Sequence, residues 1–202
     1  MTKNRIILYT ISFISAIALF LINPANAHAC ACCATAGTWS EYTNSLENYH
    51  VAQLNELKFS PAANLFMSAA GFATIKGLAS ESETYTLYTL SHSKNNRSWN
   101  FHFTDTKGKA GNLSFSLPPQ KTEFGTDFYD KPVADNRLYK EVRLTGKLAG
   151  NGIFESGINN DSRYKLILQG RGNYCLDSDD FKHWILEISG PQSSYSFYGS
   201  FK

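Results

Sequence analysis

Basic runs are missing from this sequence; the nearest approach to one is the isolated pair Lys107 and Lys109. A nucleic acid or an acidic polymer would want a basic patch, so neither is expected as a partner. Internal repeats, low-complexity tracts and Pro/Gly/Ser linkers are also missing, and the 6 prolines are scattered. That leaves a single domain as the expected organisation. Reaction-specifying motifs are missing too. No serine sits in a G-x-S-x-G elbow. The acidic stretch Asp177-Ser178-Asp179-Asp180 lacks the central Gly and terminal Glu of an EF-hand. C-x-x-C in a βαβ setting, the mark of a thiol oxidoreductase, does not occur.

What is present begins with an export signal. Lys3 and Arg5 form a positive segment, and Ile6 to Ile22 is an uncharged apolar run of 17 residues. Asn23 and Pro24 break the run, and Ala25-Asn26-Ala27 supplies the small residues of a signal-peptidase site. Residues 1–27 are therefore expected to be a cleaved signal peptide, with His28 as the new N-terminus. Three alternatives stay open: an uncleaved anchor, a cut after Ala29, and lipidation at Cys30. The expected location is the periplasm or the exterior, with no membrane-spanning segment left after cleavage. Lys3 and Arg5 are the leader's only charges. Without them the 19 basic residues fall to 17, against 17 acidic ones.

Past a short Cys-rich segment, 28–34, residues 35–202 read as one β-rich domain. The chain is 43% hydrophobic and 14% aromatic, enough for one core. Its patterning has period two. Trp99, Phe101 and Phe103 fall on one face, and Asn100, His102 and Thr104 on the other. Tyr164, Leu166 and Leu168 repeat the pattern, as do Trp184, Leu186 and Ile188, and then Tyr195, Phe197 and Phe201. Leu138, Val142 and Leu144 follow it with Lys140 as the odd member. Turns are expected at Lys107-Gly108, Gly150-Asn151-Gly152, Asn159-Asn160-Asp161 and Gly190-Pro191. The expected fold class is all-β: a single antiparallel β-barrel or two-sheet β-sandwich of about 8–10 strands with short helical turns. Tyr49–Met67 is ambiguous. Val51, Leu54 and Leu57 have helical spacing, but the segment is read here as a strand ended by Pro61. Helical turns are expected near Ser40–Leu46 and Ser178–Phe181.

Gly37-Thr38-Trp39 resembles the G-x-W signature of the lipocalins. That resemblance implies an eight-stranded barrel holding an apolar ligand. It covers three residues, and the chain departs from the pattern elsewhere: no apolar strand is read after Trp39, and no long helix before the last strand. The plainer reading of Trp39 is a core anchor.

Four cysteines are present, Cys30, Cys32, Cys33 and Cys175. In an oxidising compartment disulfides are the default, and Cys32 or Cys33 bridged to Cys175 would tether the N-terminal segment to the domain. The competing reading is a metal site. His28, Cys30, Cys32 and Cys33 place imidazole and thiolates within a few residues, a donor set for copper(I) or zinc, although the spacing is not a standard zinc one.

The remaining candidates have plainer explanations. Asp177 or Ser178 caps a short turn. His92, His102 and His183 lie at or near strands, as surface or half-buried side chains. The functional expectation is an exported non-enzymatic β-domain that binds a small apolar ligand or a protein partner. The alternative is periplasmic or extracellular copper or zinc binding through the N-terminal cluster. A hydrolase assembled from strand ends is the weakest of the three.

Overall fold

The computed structural model describes residues 39–66, 77–78, 87–127, 138–171 and 178–202. All of them fall in one unit, Cys32–Lys202. In chain order their strands are β1 Trp39–Ser45, β2 Phe59–Phe66, β3 Leu87–Asn95, β4 Ser98–Asp105 and β5 Ala110–Ser116. They continue with β6 Gln120–Asp127, β7 Leu138–Gly152, β8 Arg163–Arg171, β9 Phe181–Ser189 and β10 Ser194–Phe201. One α-helix, α1 (Asn48–Glu56), and a 3-10 turn at Ser178–Asp180 accompany them.

Hairpin chemistry sets most of the topology. Asn96 takes a left-handed φ of 50° between β3 and β4, and Gly108 takes 81° between β4 and β5. The second turn is held by the Asp105 carboxylate, which accepts the N–H groups of Lys107 (2.9 Å) and Lys109 (2.8 Å). Nothing lies near the site of a Cβ on Gly108, so its backbone angle, not space, calls for glycine. Gly190 and Ser193 exchange backbone bonds between β9 and β10.

Eight strands close into an antiparallel ring, β7-β5-β4-β3-β2-β10-β9-β8, with β8 returning to β7. The choice between barrel and sandwich resolves to a barrel. The seam is β7, 15 residues long. Its first half pairs with β6, its last five residues pair with β5, and β8 runs along its other edge. Strands β5 and β6 thus lie end to end on one edge of β7. Between them the chain gains two residues on its partner, where Leu117-Pro118-Pro119 leaves the ladder. Proline has no N–H to give a ladder, so the break falls there. Outside the ring β6 carries β1, the only strand paired with it besides β7 among the described residues.

Inward positions fill the barrel. Trp99, Phe101, Phe103, Trp184, Leu186 and Phe197 have no exposed surface. Phe103 stacks on Phe197 with ring centroids 4.2 Å apart, and Phe59 meets Phe101 at 4.9 Å. An eight-stranded ring is just wide enough for such side chains. Where two large rings would collide, one partner is glycine: a Cβ at Gly199 would stand 2.7 Å from Trp184 Cζ2.

Several local expectations are corrected. Asn48–Glu56 is helical, so the spacing of Val51 and Leu54 prevails over the strand reading; both are buried. Pro61 does not end a strand but sits inside β2. The β2–β10 register shifts opposite it, and β2–β3 pairing starts at Ala62, so its missing N–H is not needed. Trp39–Ser45 is a strand and not a helical turn; its pairing with β6 decides, and its polar sequence suits an outer edge. Trp39 therefore opens a strand outside the closed ring. Lys140, the odd inward member of β7, pairs with Asp180 at 2.7 Å over the Phe181 ring. The 3-10 turn at Ser178–Asp180 matches expectation.

Candidate functional site

His28, Cys30, Cys32, Cys33 and Cys175 lie outside the described residues, and so do the metal and disulfide readings that use them. Among the described residues no group of three or more His, Cys, Asp or Glu is placed to hold a metal ion. The three strand histidines do not converge. His102 faces outward and bonds Asn112 (2.9 Å) and Thr104 (3.3 Å). His183 is exposed on β9, and His92 faces into one end of the barrel. Asp179 and Asp180 belong to the 3-10 turn, and Asp180 is engaged by Lys140.

The structure assembles two other sites. The first is a groove of about 460 Å³ on the outer wall, over β8, β9, β10 and the end of β2. Strand alternation builds it. Gln169 pairs across with His183, Ile167 with Ile185, Ile185 with Tyr198, and Phe66 with Ser196. Phe66 and Tyr198 are diagonal neighbours, 56% and 43% exposed. Behind this wall, on the barrel side, the Trp184 ring lies against Gly199. Its indole N–H is buried and has no hydrogen-bond partner. Such an orphan donor costs about 1–3 kcal/mol.

A fixed polar network borders the groove. Gln169 Nε2 donates to Tyr139 Oη (2.9 Å) and Glu141 Oε1 (3.1 Å), and Tyr139 donates to the same carboxylate. Arg143 donates to Glu141 Oε2 from Nε (2.9 Å) and Nη2 (2.7 Å), with its guanidinium over the Phe124 ring. Burial by itself would raise the Glu141 carboxyl; the bonds from Tyr139, Gln169 and Arg143, with the Arg143 charge, outweigh it and hold the group below its ordinary range. Burial and the neighbouring carboxylate push Tyr139 up to about 12. The wall beside the groove therefore presents a carboxylate and a carboxamide in set orientations.

The second site is a cavity of about 660 Å³ at one mouth of the barrel. There α1 lies across the ring, and the β3–β4 hairpin ties it down. Trp99 Nε1 donates to Asn55 Oδ1 (2.9 Å), and Asn55 donates to the Asn96 carbonyl (3.1 Å). Arg97 donates to the carbonyls of Leu46 (2.6 Å) and Pro118 (3.0 Å). Lys94 donates to those of Leu54 (3.4 Å) and Leu57. Lys94 is 5.2 Å from the Trp99 ring and 5.5 Å from the Phe59 ring. Burial brings its ammonium down to about 8.

Sequence reading missed both sites. One signal for the groove was visible: Tyr198 falls in the serine row of its strand, opposite Tyr195 and Phe197. One signal for the mouth was the row Tyr88, Leu90, His92, Lys94, which turns from apolar to ionic. No protein-family model matches the chain, and no curated protein or solved structure matches it either.

Proposed function

We propose that the chain is an exported, non-enzymatic binding domain whose ligand lies in the outer-wall groove. The barrel axis is occupied by rings, which leaves the wall as the place for an apolar molecule. The observation that carries this reading is the adjacent pair Phe66 and Tyr198, left exposed beside Ile185. Large apolar side chains grouped on a wall mark binding surfaces. The ligand that fits this surface is a flat, mostly apolar molecule. Gln169, His183 and Glu187 supply the polar rim that would orient it.

The test uses Nile red, a flat, neutral apolar probe. Saturable binding is expected, with quenching of tryptophan fluorescence. The double variant Phe66→Ser with Tyr198→Ser should weaken it about tenfold or more, since each buried ring contributes about 1.5–3 kcal/mol. Unchanged affinity in a folded double variant removes the groove as the site.

A second reading rests on the sequence pattern His28-x-Cys30-x-Cys32-Cys33. It predicts stoichiometric zinc or copper in the reduced protein, lost when Cys32 and Cys33 are replaced. Intact mass spectrometry of the purified chain reads metal, N-terminus and disulfides together.

A further inference from the structure

We propose that the ligand of the outer-wall groove is a flat heteroaromatic molecule with a lactam edge, an N–H donor beside a carbonyl acceptor, and that the Asn64 carboxamide reads that edge. This rests on the groove being the binding surface and narrows the chemistry of what occupies it.

Four large hydrophobic side chains stand exposed among the described residues, and three of them are Phe66, Tyr198 and Leu87; the fourth, Tyr49, belongs to α1. Strand register gathers the three around one residue. On β2, Ala63 and Leu65 are buried inward, so Ala62, Asn64 and Phe66 share the outer face. Asn64 stands directly opposite Tyr198 on β10 and directly opposite Leu87 on β3. Side chains so opposed have Cβ atoms about 5 Å apart. The nearest neighbours of Asn64 on this face are therefore Ala62, Phe66, Tyr198 and Leu87. The apolar surface thus runs one strand past the groove, to Leu87, which is 47% exposed.

One half-buried carboxamide sits inside that collar. The Asn64 side chain makes no hydrogen bond to another residue among those described. Gln169, across the groove, is committed to Tyr139 and Glu141. Asn64 keeps its acceptor oxygen and both donor N–H groups available. An apolar surface with one polar group at its centre matches a ligand of the same pattern.

The occupant follows from shape and edge. Three half-exposed side chains offer a few hundred Å² at most, against about 800 Å² per partner in a stable protein interface. A small molecule fits and a folded partner does not. A peptide strand fits no better, because β2 at Asn64 is already paired with both β10 and β3 and has no open edge. A trans peptide group also holds its N–H and C=O on opposite edges, so it meets only one side of a carboxamide at a time. A lactam ring holds both on one edge and pairs with Asn64 twice. Its ring then lies over Tyr198 and Phe66, and Leu87 screens the paired edge from water.

The experiment compares 2-quinolone with coumarin, which has the same shape but an oxygen in place of the N–H. Both are titrated into the full chain while NMR follows the Asn64 side-chain amide and the backbone of β2, β3 and β10. Saturable shifts at Asn64 are expected with the quinolone. The quinolone-to-coumarin affinity ratio should fall about fivefold in Asn64→Leu, the value of one hydrogen bond. Leu87→Ser should weaken the quinolone about threefold. A ratio unmoved by Asn64→Leu overturns the inference, and saturable Nile red binding lost in the Phe66/Tyr198 variant then still keeps the groove as the site. Failure of both Nile red and the quinolone to saturate removes groove and lactam reading together.

Discussion

The barrel axis and its helix-capped mouth are held together by opposite chemistry. Along the axis, contacts are between rings: Phe101, Phe103, Trp184 and Phe197 share one dry interior, and no hydrogen bond specifies their arrangement. At the mouth, α1 is fastened by point contacts, each a named donor on a named carbonyl or amide. Axis packing is non-directional and large in sum, so it sets stability. The mouth contacts are directional and individually small, so they set position. Polar groups therefore collect where ring packing stops, and the cavity with His92 and Lys94 lies there.

Three measurements sharpen or break that contrast. The largest effect is expected for Phe103→Ala. Its ring touches Phe197, Phe154 and Tyr88, and its loss should destabilise the domain by about 3–5 kcal/mol. A urea midpoint close to that of the parent chain would show that the axis does not set stability. Arg97→Ala should cost less, about 1–3 kcal/mol, because it strips the Leu46 and Pro118 carbonyls of their donor. Its signature is local: amide exchange should quicken in α1 while β4 and β9 stay protected. Equal quickening everywhere would mean that mouth and axis open as one unit.

The smallest effect is on pH dependence. Burial first, then neighbouring lysines, lowers His50 and His92 below their ordinary value of 6.5. The unfolded chain therefore takes up protons before the folded one as pH falls. Stability should hold above about pH 6.5 and decline on acidification below it. Thermal melts across this range, with His50→Gln and His92→Gln for comparison, check the sign. A melting temperature that rises on acidification contradicts it.

The axis was legible in the sequence and the mouth was not. Trp99, Phe101 and Phe103 alternate within one strand, so periodicity alone reveals their shared face. The ambiguous stretch before Phe59 was not legible because helix α1 is short and its apolar spacing continues into β2. Pro61 misled because a proline inside a strand is tolerated only where a bulge frees its partner, and a bulge depends on β10. The groove combines Phe66, Gln169, Ile185 and Tyr198, which only the ring order brings side by side. Nothing local in the sequence marks the fixed orientation of Glu141, since Tyr139, Gln169 and Arg143 reach it from two strands.

The excursion at Leu117-Pro118-Pro119 has an arithmetic consequence. Side chains on a strand alternate with period two, so an insertion of two residues returns every later position to its original side. That is why Lys121 and Glu123 continue the inward sense of Leu113 and Phe115, while Thr122 and Phe124 stay outside. Deleting either proline alone would reverse β6 like a glove turned inside out, exposing a buried ion pair and swallowing Phe124. Removing both would merely slide the strand by one repeat along β7. Parity, more than length, is the quantity that this small loop conserves.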